Sequence, residues 1–288
     1  MARSSNEQQQ DKSSAERRQG EASGEQRQEQ QGKPAAGQEQ VLLSVHDLSK
    51  SYGDKRVLDG ADFELQRGEC LVVMGRSGTG KSVLLRQVIG LEKPDSGSVI
   101  FDGTDLTRLR EEDLFPARRR MGMLFQSGAL FDSMNVFDNV AFPLRKHSDL
   151  APEELADKVE EKLKMVHLEG AGDKFPSDIS GGMRKRAALA RSLALDPDLM
   201  LYDEPSSGLD PMTAATIASL IRNVEKELGV TSLVITHDLA LARRVGDRLA
   251  FLTEGRFAFV GDWAAADGSK DKKLADFLAG REEEADAA

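Results

Sequence analysis

Cysteine, tryptophan and tyrosine are scarce in this chain of 288 residues, which has one cysteine, one tryptophan and two tyrosines. A single cysteine excludes a disulfide framework within the chain and any metal site built on several thiolates. The cysteine is Cys70, in the apolar run CLVVM (70–74). This position indicates a buried small hydrophobic residue in a protein of a reducing compartment.

Long hydrophobic runs are also missing. No stretch contains the roughly 18 consecutive apolar residues from which a transmembrane helix is inferred. The N-terminal residues MARSSNEQQQDKSS lack the apolar core of a secretory signal peptide. We therefore expect a cytoplasmic protein that reaches a membrane only through a partner.

Basic residues are outnumbered, with 39 Lys and Arg against 49 Asp and Glu, and the net charge is −10. A protein that binds nucleic acid mainly through phosphate contacts needs a basic surface, so this balance argues against a nucleic-acid partner. It is compatible with a small polyanion that is bound locally.

Aliphatic and aromatic residues are absent from residues 2–40, apart from alanine, and ten glutamines occur in the first 40 positions. Such a segment cannot bury enough apolar surface to offset its conformational entropy, so we predict a disordered tail over residues 1–40. The composition changes at residue 41. We expect one folded domain over 41–265 and a C-terminal extension over 266–288, whose acidic end is expected to fray.

Strand-like runs alternate with helical patterns after residue 41, which indicates an α/β fold. The runs 70–74, 199–203 and 232–236 are apolar on both faces, as central parallel strands are. Further strands are predicted at 41–46, 98–101, 121–125, 249–253 and 256–260, and helices at 152–168 and 212–228. The region 127–195 is mostly helical and interrupts the strands, which predicts an inserted helical subdomain.

The segment GRSGTGKS (75–82) matches the phosphate-loop pattern G-x-x-x-x-G-K-[ST] and lies between an apolar strand and a helical pattern. Its glycines allow successive N–H groups to face an anion, and the following helix adds its positive end. Lys81 can neutralise the β- and γ-phosphates of ATP, and the Ser82 hydroxyl can bind Mg²⁺. A structural turn is the alternative, but this context favours a nucleoside triphosphate. The predicted loop residues are Gly75, Arg76, Ser77, Gly78, Thr79, Gly80, Lys81 and Ser82.

Two adjacent carboxylates, Asp203 and Glu204, end the apolar run LMLYD. Ligands of open α/β sheets collect at the carboxyl ends of the strands. Asp203 is therefore placed to hold Mg²⁺, and Glu204 to act as the general base towards a water molecule.

A second helix start occurs at DISGGMRKR, where Ser180 fits the N-cap position and Gly181 and Gly182 leave the first turn uncovered. One chain seldom needs two triphosphate sites. We therefore predict that these residues bind the nucleotide of another copy across a two-fold axis.

These motifs, in this order, resemble the nucleotide-binding subunit of an ATP-binding-cassette (ABC) transporter over about residues 41–262. The resemblance also rests on LFQSG, on SGLD after the carboxylates and on VITHD. It implies a P-loop fold with a mixed β core, an antiparallel β subdomain and an inserted helical subdomain. It further implies that Tyr52 stacks on adenine, that Gln126 touches Mg²⁺ and the attacking water, and that His237 holds the γ-phosphate.

The usual signature LSGGQ is replaced here by ISGGM, with Met183 in place of glutamine. This methionine, the basic residues after it and FQSGALFDSMNVFDNVAFPLR (125–145) resemble the lipid-transporting Mla and Mce-type ATPases. That resemblance implies a homodimer on the cytoplasmic face of the inner membrane, with a permease, an Mce-domain substrate-binding protein and a small regulatory subunit as partners. The expected docking residues for the permease are Ala129, Leu130, Phe131, Met134, Val136 and Phe137.

Three other functions compete with lipid transport. One is an ABC importer ATPase for a polar solute such as an amino acid, and another is an ABC ATPase that acts on ribosomes or DNA. The acidic charge and the single cassette disfavour the second of these. A nucleotide-gated scaffold without catalysis is disfavoured by the carboxylates at 203 and 204.

Overall fold

The computed structural model describes residues 40–281. The predicted disordered tail, apart from residue 40, and the last residues of the acidic end lie outside the described residues. Within residues 40–281, every helix is too short or too polar to cross a bilayer.

A six-stranded sheet carries the ligand-binding edge of the domain, in the order β10-β9-β3-β8-β7-β6. Five neighbouring strands are parallel, and β10 pairs antiparallel with β9 at one edge. In chain order the strands are β3 (Cys70–Met74), β6 (Met121–Leu124), β7 (Leu199–Asp203), β8 (Thr231–Ile235), β9 (Arg248–Thr253) and β10 (Arg256–Asp262). Strands β3 and β8 are buried at every residue. Accordingly, β3 is apolar throughout, whereas β8 begins with the buried polar residues Thr231 and Ser232.

An antiparallel sheet of four strands, in the order β2-β1-β4-β5, packs on one side of the larger sheet. Its strands are β1 (Val41–Tyr52), β2 (Lys55–Gln66), β4 (Ser96–Phe101) and β5 (Thr104–Asp105). Strands β1 and β4 are longer than the strands predicted at 41–46 and 98–101, and β2 and the two-residue β5 were not predicted. The alternation of buried Ala61, Phe63 and Leu65 was the available signal for β2, but Leu58 is the one buried residue in the first half of this strand, so no alternation appears there.

Nine α-helices occur in the described residues, together with short 3₁₀ turns. They are α1 (Lys81–Val88), α2 (Phe115–Arg119), α3 (Val136–His147), α4 (Pro152–Met165), α5 (Gly181–Leu193), α6 (Pro211–Leu228), α7 (Leu239–Val245), α8 (Trp263–Asp267) and α9 (Lys272–Leu278). Residues 127–195, all of which are described, contain only helices, turns and loops. Helix α4 ends three residues before the predicted end at 168, because His167 adopts a left-handed conformation with φ 56°.

Two hydrophobic cores lie on opposite faces of the larger sheet, since successive strand residues point to opposite sides. Leu71 and Val73 face the antiparallel sheet and α1, whereas Val72 and Met74 face α5 and α6. Cys70 belongs to the second core, where burial raises the pKa of its thiol well above its usual value. The prediction of a buried Cys70 is confirmed.

The described part of the C-terminal extension packs on the same domain. Leu274 of α9 is buried, and the Phe277 ring lies 5.0 Å from the Phe251 ring of β9. The indole nitrogen of Trp263 donates a hydrogen bond of 2.9 Å to the carbonyl oxygen of Gly246. Apolar contacts thus fix α9 against β9, and one directional bond fixes α8 to the segment before β9.

Candidate functional site

A cleft of about 680 Å³ lies where the parallel strands β3, β6, β7 and β8 end. Eight of the sixteen predicted site residues line it, because the segments that follow parallel strands collect at one edge of the sheet. The lining residues are Val57, Ser77, Gly78, Gly80, Lys81, Ser82, Val83, Gln126, Glu204 and His237. Val57 was missed by the sequence analysis because strand β2 was missed.

The loop from Gly75 to Gly80 requires glycine at both ends. Gly80 has φ 104°, and a Cβ there would lie 2.8 Å from the carbonyl oxygen of Val57. A Cβ on Gly75 would collide with the backbone carbonyl of Leu252. Helix α1 then begins without a side-chain cap and without an acidic residue in its first turn. Its first N–H groups and positive end are therefore available to an anion.

Lys81 is a buried cation at the floor of this loop. Its ammonium group donates hydrogen bonds of 2.7 Å to the carbonyl oxygen of Gly75 and 2.8 Å to that of Arg76. Burial lowers the pKa of Lys81, and the Glu204 and Asp203 carboxylates oppose that change. The positive charge is thus held beside the loop amides, where a phosphate would meet both.

Ser82 and Asp203 come together from α1 and the end of β7. The Ser82 hydroxyl donates to Asp203 Oδ1 over 3.3 Å, and burial raises the pKa of Asp203. Hydroxyl and carboxylate oxygens are ligands that suit Mg²⁺. In the described part of the chain, no cluster of three or more His, Cys, Asp or Glu side chains could hold a metal. A cation held by Ser82 and Asp203 would therefore need other kinds of ligand, which phosphate, water or the Gln126 side chain of the same cleft could supply.

Glu204 has an unusual backbone conformation, with φ 48° in a residue other than glycine. Its amide donates to the carbonyl oxygen of Ile235 over 2.9 Å. Its carboxylate lies 2.9 Å from Nδ1 of His237 and accepts hydrogen bonds of 3.3 Å from the Thr236 hydroxyl and from the His237 amide. The end of strand β8 therefore fixes the direction of this carboxylate.

Gln126 follows strand β6 and contacts the segment after Glu204. Its side-chain amide donates to the Ser207 hydroxyl over 3.0 Å, and the Ser207 amide donates to the Glu204 carbonyl oxygen over 3.1 Å. Ser207 is the first residue of the SGLD motif, but its contact with Gln126 was not predicted, because it joins residues that are 81 positions apart.

Tyr52 does not line the cleft. The ring lies on the β1–β2 hairpin that also supplies Val57, and it is 47% exposed. Its hydroxyl donates to Glu92, and the other carboxylate oxygen of Glu92 accepts a bond of 3.2 Å from Arg86 of α1. The tyrosine is thus tied to the helix that follows the phosphate loop.

Ser180, Gly181 and Gly182 begin helix α5 and contribute no atom to the cleft lining of their own chain. The Ser180 hydroxyl accepts a hydrogen bond of 3.2 Å from the Met183 amide. A Cβ on Gly182 would collide with Thr213 of α6, whereas a Cβ on Gly181 would have its nearest neighbour at 3.7 Å. Gly182 therefore permits the close packing of two helices, and Gly181 leaves the helix end open.

Comparisons with known proteins agree with this geometry. The ABC transporter family model matches residues 58–207. A probable ribonucleotide transport ATP-binding protein, mkl, of Mycobacterium leprae is 44% identical over 84% of this chain and 70% of its own length. The intermembrane phospholipid transport ATP-binding protein MlaF of Escherichia coli K12 is 41% identical over 83% of this chain and 89% of its own.

The fold matches a solved structure of the same kind. The ATP-binding cassette MJ0796, in a dimeric post-hydrolysis state with ADP and phosphate, superposes with a TM-score of 0.71 and 31% identity. The match covers 77% of this chain and 98% of that one. The predicted fold class and the predicted ATPase activity are confirmed. This chain belongs to the ABC transporter family and is the ATP-binding, ATP-hydrolysing subunit of such a transporter.

Proposed function

We propose that two copies of this chain enclose two ATP molecules and that their hydrolysis drives phospholipid transport through a separate membrane permease. The observation that carries the ATPase part is the meeting of the phosphate loop, Asp203, Glu204 and His237 around one cleft. The transport part is supported by the resemblance to MlaF.

The dimer follows from the separation of two anion-binding elements in one chain. The cleft contains the phosphate loop, but the open helix start at Ser180–Gly182 lies elsewhere. A two-fold axis lets each copy complete the site of the other, as symmetric interfaces do. The dimeric state of the related cassette supports this arrangement. ATP then favours the closed pair because it contacts both copies.

The residues of the cleft and of the segments next to it have distinct roles in this proposal. Lys81 and the loop amides bind the β- and γ-phosphates, while Ser82, Asp203 and Gln126 would hold Mg²⁺, which neutralises phosphate charge when bound. The Ser180–Gly182 helix start of the partner copy faces the γ-phosphate from the opposite side. Tyr52 packs against the adenine ring.

Hydrolysis requires a water molecule that attacks the γ-phosphorus. Its oxygen forms a bond to phosphorus, its proton passes to Glu204, and the bond to the bridging oxygen breaks, which leaves ADP and phosphate. Glu204 is suited to this role because the end of β8 fixes its carboxylate beside the cleft. His237, which also lines the cleft, would contact the γ-phosphate.

The surface after Gln126 is the proposed contact with the permease. Phe131 is 42% exposed, and its ring centroid lies 5.0 Å from that of Phe142, with the two rings tilted by 55°. It also lines a groove of about 270 Å³ with Arg191. Leu130 and Phe137 are partly buried against the core. Val136 was expected among the docking residues, but it is fully buried, so that expectation is wrong for this residue.

Further partners belong to the same proposal. By analogy with the lipid-transporting branch, we infer a cytoplasmic-face location, an Mce-domain substrate-binding protein and a small regulatory subunit. A second candidate function is ribonucleotide transport, which the name of the Mycobacterium leprae relative favours.

The experiment isolates the whole complex from membranes through a tag on this chain and identifies the copurified proteins and lipids by mass spectrometry. The complex is then placed in vesicles with a labelled phospholipid or a labelled ribonucleotide. We expect ATP-dependent movement of the phospholipid, and none with a Glu204→Gln complex. Copurification of a ribonucleotide or amino-acid permease, with no lipid movement, would contradict the lipid assignment.

A further inference from the structure

Lys185 is a buried lysine of helix α5 that contacts the catalytic segment of its own chain. Its side chain is only 6% exposed, and Nζ donates a hydrogen bond of 3.2 Å to the carbonyl oxygen of Glu204. Lysine is seldom buried to this extent unless a specific contact holds it. The helix that begins at Ser180 therefore reaches the proposed general base inside one protomer.

The three consecutive basic residues of α5 have different partners. Arg184 donates to the carbonyl oxygens of Pro176 and Ile179, before the helix. Arg186 donates to the carbonyl oxygens of residues 166 and 167, after α4. Lys185 alone among these three points to the end of strand β7. Each residue of the basic run thus connects α5 to a different segment, and of the three residues only Lys185 is buried.

The carbonyl group that Lys185 contacts belongs to Glu204, whose backbone conformation is unfavourable. Glu204 has φ 48°, and a left-handed residue other than glycine persists only where its surroundings hold it. The Glu204 carbonyl oxygen accepts from both Lys185 Nζ and the Ser207 amide, while its amide donates to Ile235. Removal of the ammonium would leave one of these three contacts unmade.

The positive charge of Lys185 also interacts with the carboxylates of Glu204 and Asp203. Burial lowers the pKa of this lysine, and the Glu204 and Asp203 carboxylates act in the opposite direction. The ammonium group is therefore close enough to those carboxylates to offset part of their negative charge.

We propose that Lys185 is a positioning residue for ATP hydrolysis: it holds the Glu204 backbone so that the carboxylate faces the attacking water. This inference rests on the proposed role of Glu204 and adds a link from α5 to that residue. Ser180 and Lys185 lie on one helix. A change in the position of α5 when the partner's ATP binds at its start therefore acts on Glu204 of the same protomer.

The test compares Lys185→Met, which keeps the stem and removes the donor, with Lys185→Arg, which keeps a charged donor. Steady-state ATP hydrolysis and the binding of a non-hydrolysable ATP analogue are measured on the full chain in its complex. We expect Lys185→Met to lower kcat by about tenfold or more, equivalent to about 1.4 kcal/mol of activation free energy, with an unchanged Kd for the analogue. Lys185→Arg should recover most of the rate.

Lys162 offers a matched control, since it is 1% exposed and pairs with Asp196 over 2.7 Å in the same helical region. We expect Lys162→Met to lower the Tm but to leave kcat unchanged well below that temperature. An equal loss of kcat in Lys162→Met would show general loosening and overturn the proposal. So would a parental kcat in Lys185→Met, or a parallel loss of kcat and analogue affinity.

Failure of this inference is distinguishable from failure of the proposed base. A Glu204→Gln variant that hydrolyses ATP at the parental rate overturns both. An inactive Glu204→Gln variant beside a fully active Lys185→Met variant overturns the Lys185 proposal alone.

Discussion

His237 Nδ1 lies 2.9 Å from Glu204 Oε2, at the ends of the neighbouring strands β8 and β7. The parallel register, which pairs Asp203 with Ile235, brings these two side chains together. The Thr236 hydroxyl and the His237 amide also donate to the same carboxylate oxygen. The two residues proposed to act on the γ-phosphate and on water are therefore parts of one hydrogen-bonded unit.

Substitution of Glu204 by glutamine tests this unit. The amide keeps the shape of the side chain but cannot take a proton, so we expect kcat to fall by about 100-fold or more while ATP still binds. A phosphate-release assay and nucleotide binding measure the two effects. His237→Ala should cost less in the Glu204→Gln background than in the parent, because residues that act together are not additive. Strict additivity would contradict the coupling.

Lys81→Ala should weaken nucleotide binding itself. The ammonium lies at the loop carbonyls of Gly75 and Arg76, where the phosphates bind in our proposal. Loss of one charge-assisted contact is worth about 1.5–3 kcal/mol, so we expect an affinity about tenfold or more lower by calorimetry. Lys226→Ala, at an exposed lysine of α6, is the control and should bind ATP as the parent does. Unchanged affinity in Lys81→Ala would remove the proposed phosphate contact.

We expect the Tyr52 ring to pack best on adenine when its hydroxyl donates to Glu92, which also accepts a hydrogen bond from Arg86. Tyr52→Phe keeps the ring but loses the hydroxyl that donates to Glu92. We expect KM for ATP to rise about fivefold, equivalent to the roughly 1 kcal/mol of one hydrogen bond, with kcat unchanged. Binding of tripolyphosphate, which has no base, should not change. If Tyr52→Phe matches the parent while Tyr52→Leu binds weakly, the ring matters and the tether does not.

Local motifs explain what the sequence could predict. The phosphate loop is contiguous. The apolar runs that end before Gly75 and at Asp203 indicate central strands, so their common edge follows from topology alone. His237 could be placed because it follows another such strand. These residues line the cleft or contact a residue that does.

Contacts between distant segments explain what the sequence could not predict. Lys185 and Glu204 are 19 positions apart, and nothing in RKR shows which residue turns inward. Val136 lies in an apolar run that suits a docking surface, yet α3 uses it for the core. The collision at Gly182 depends on the approach of α6, which only tertiary packing fixes.

Glu225 should make stability depend on pH. This carboxyl group is only 8% exposed, and in the described part of the chain its Oε1 has no hydrogen-bond partner. Burial raises its pKa above the usual 4.5, although Cys70, Ser232 and Arg222 act in the opposite direction. The folded protein therefore binds this proton more tightly than the unfolded chain, so stability falls as pH rises from about 4.5 towards the raised pKa.

The measurement is urea unfolding between acidic and neutral pH. Glu225→Gln lacks the titrating group. Its free energy of unfolding should therefore increase relative to that of the parent as pH rises through this window. Glu227→Gln, at an exposed position of the same helix, should follow the parent. Parallel pH profiles for Glu225→Gln and the parent would contradict a raised pKa at Glu225.

Substitution by alanine should have different effects at Gly181 and Gly182, the two glycines at the start of α5. At Gly182 the added methyl meets the side chain of Thr213, so α5 and α6 must move apart. Overpacking of this kind costs about 1–3 kcal/mol, and we expect a lower Tm for Gly182→Ala. Gly181→Ala meets its nearest atom at 3.7 Å and should keep the parental Tm.

The same two variants distinguish an effect on folding from an effect on dimer assembly. If the partner's nucleotide packs against this helix start, Gly181→Ala should reduce ATP-dependent dimerisation and hydrolysis while its Tm stays parental, because a methyl group then stands in the path of the phosphate. Restoration of space by Thr213→Ser should recover the Tm of Gly182→Ala, since the colliding Thr213 atom is the methyl carbon Cγ2. A Gly181→Ala protein that dimerises and hydrolyses ATP as the parent does would place the second phosphate-binding element somewhere other than the start of α5.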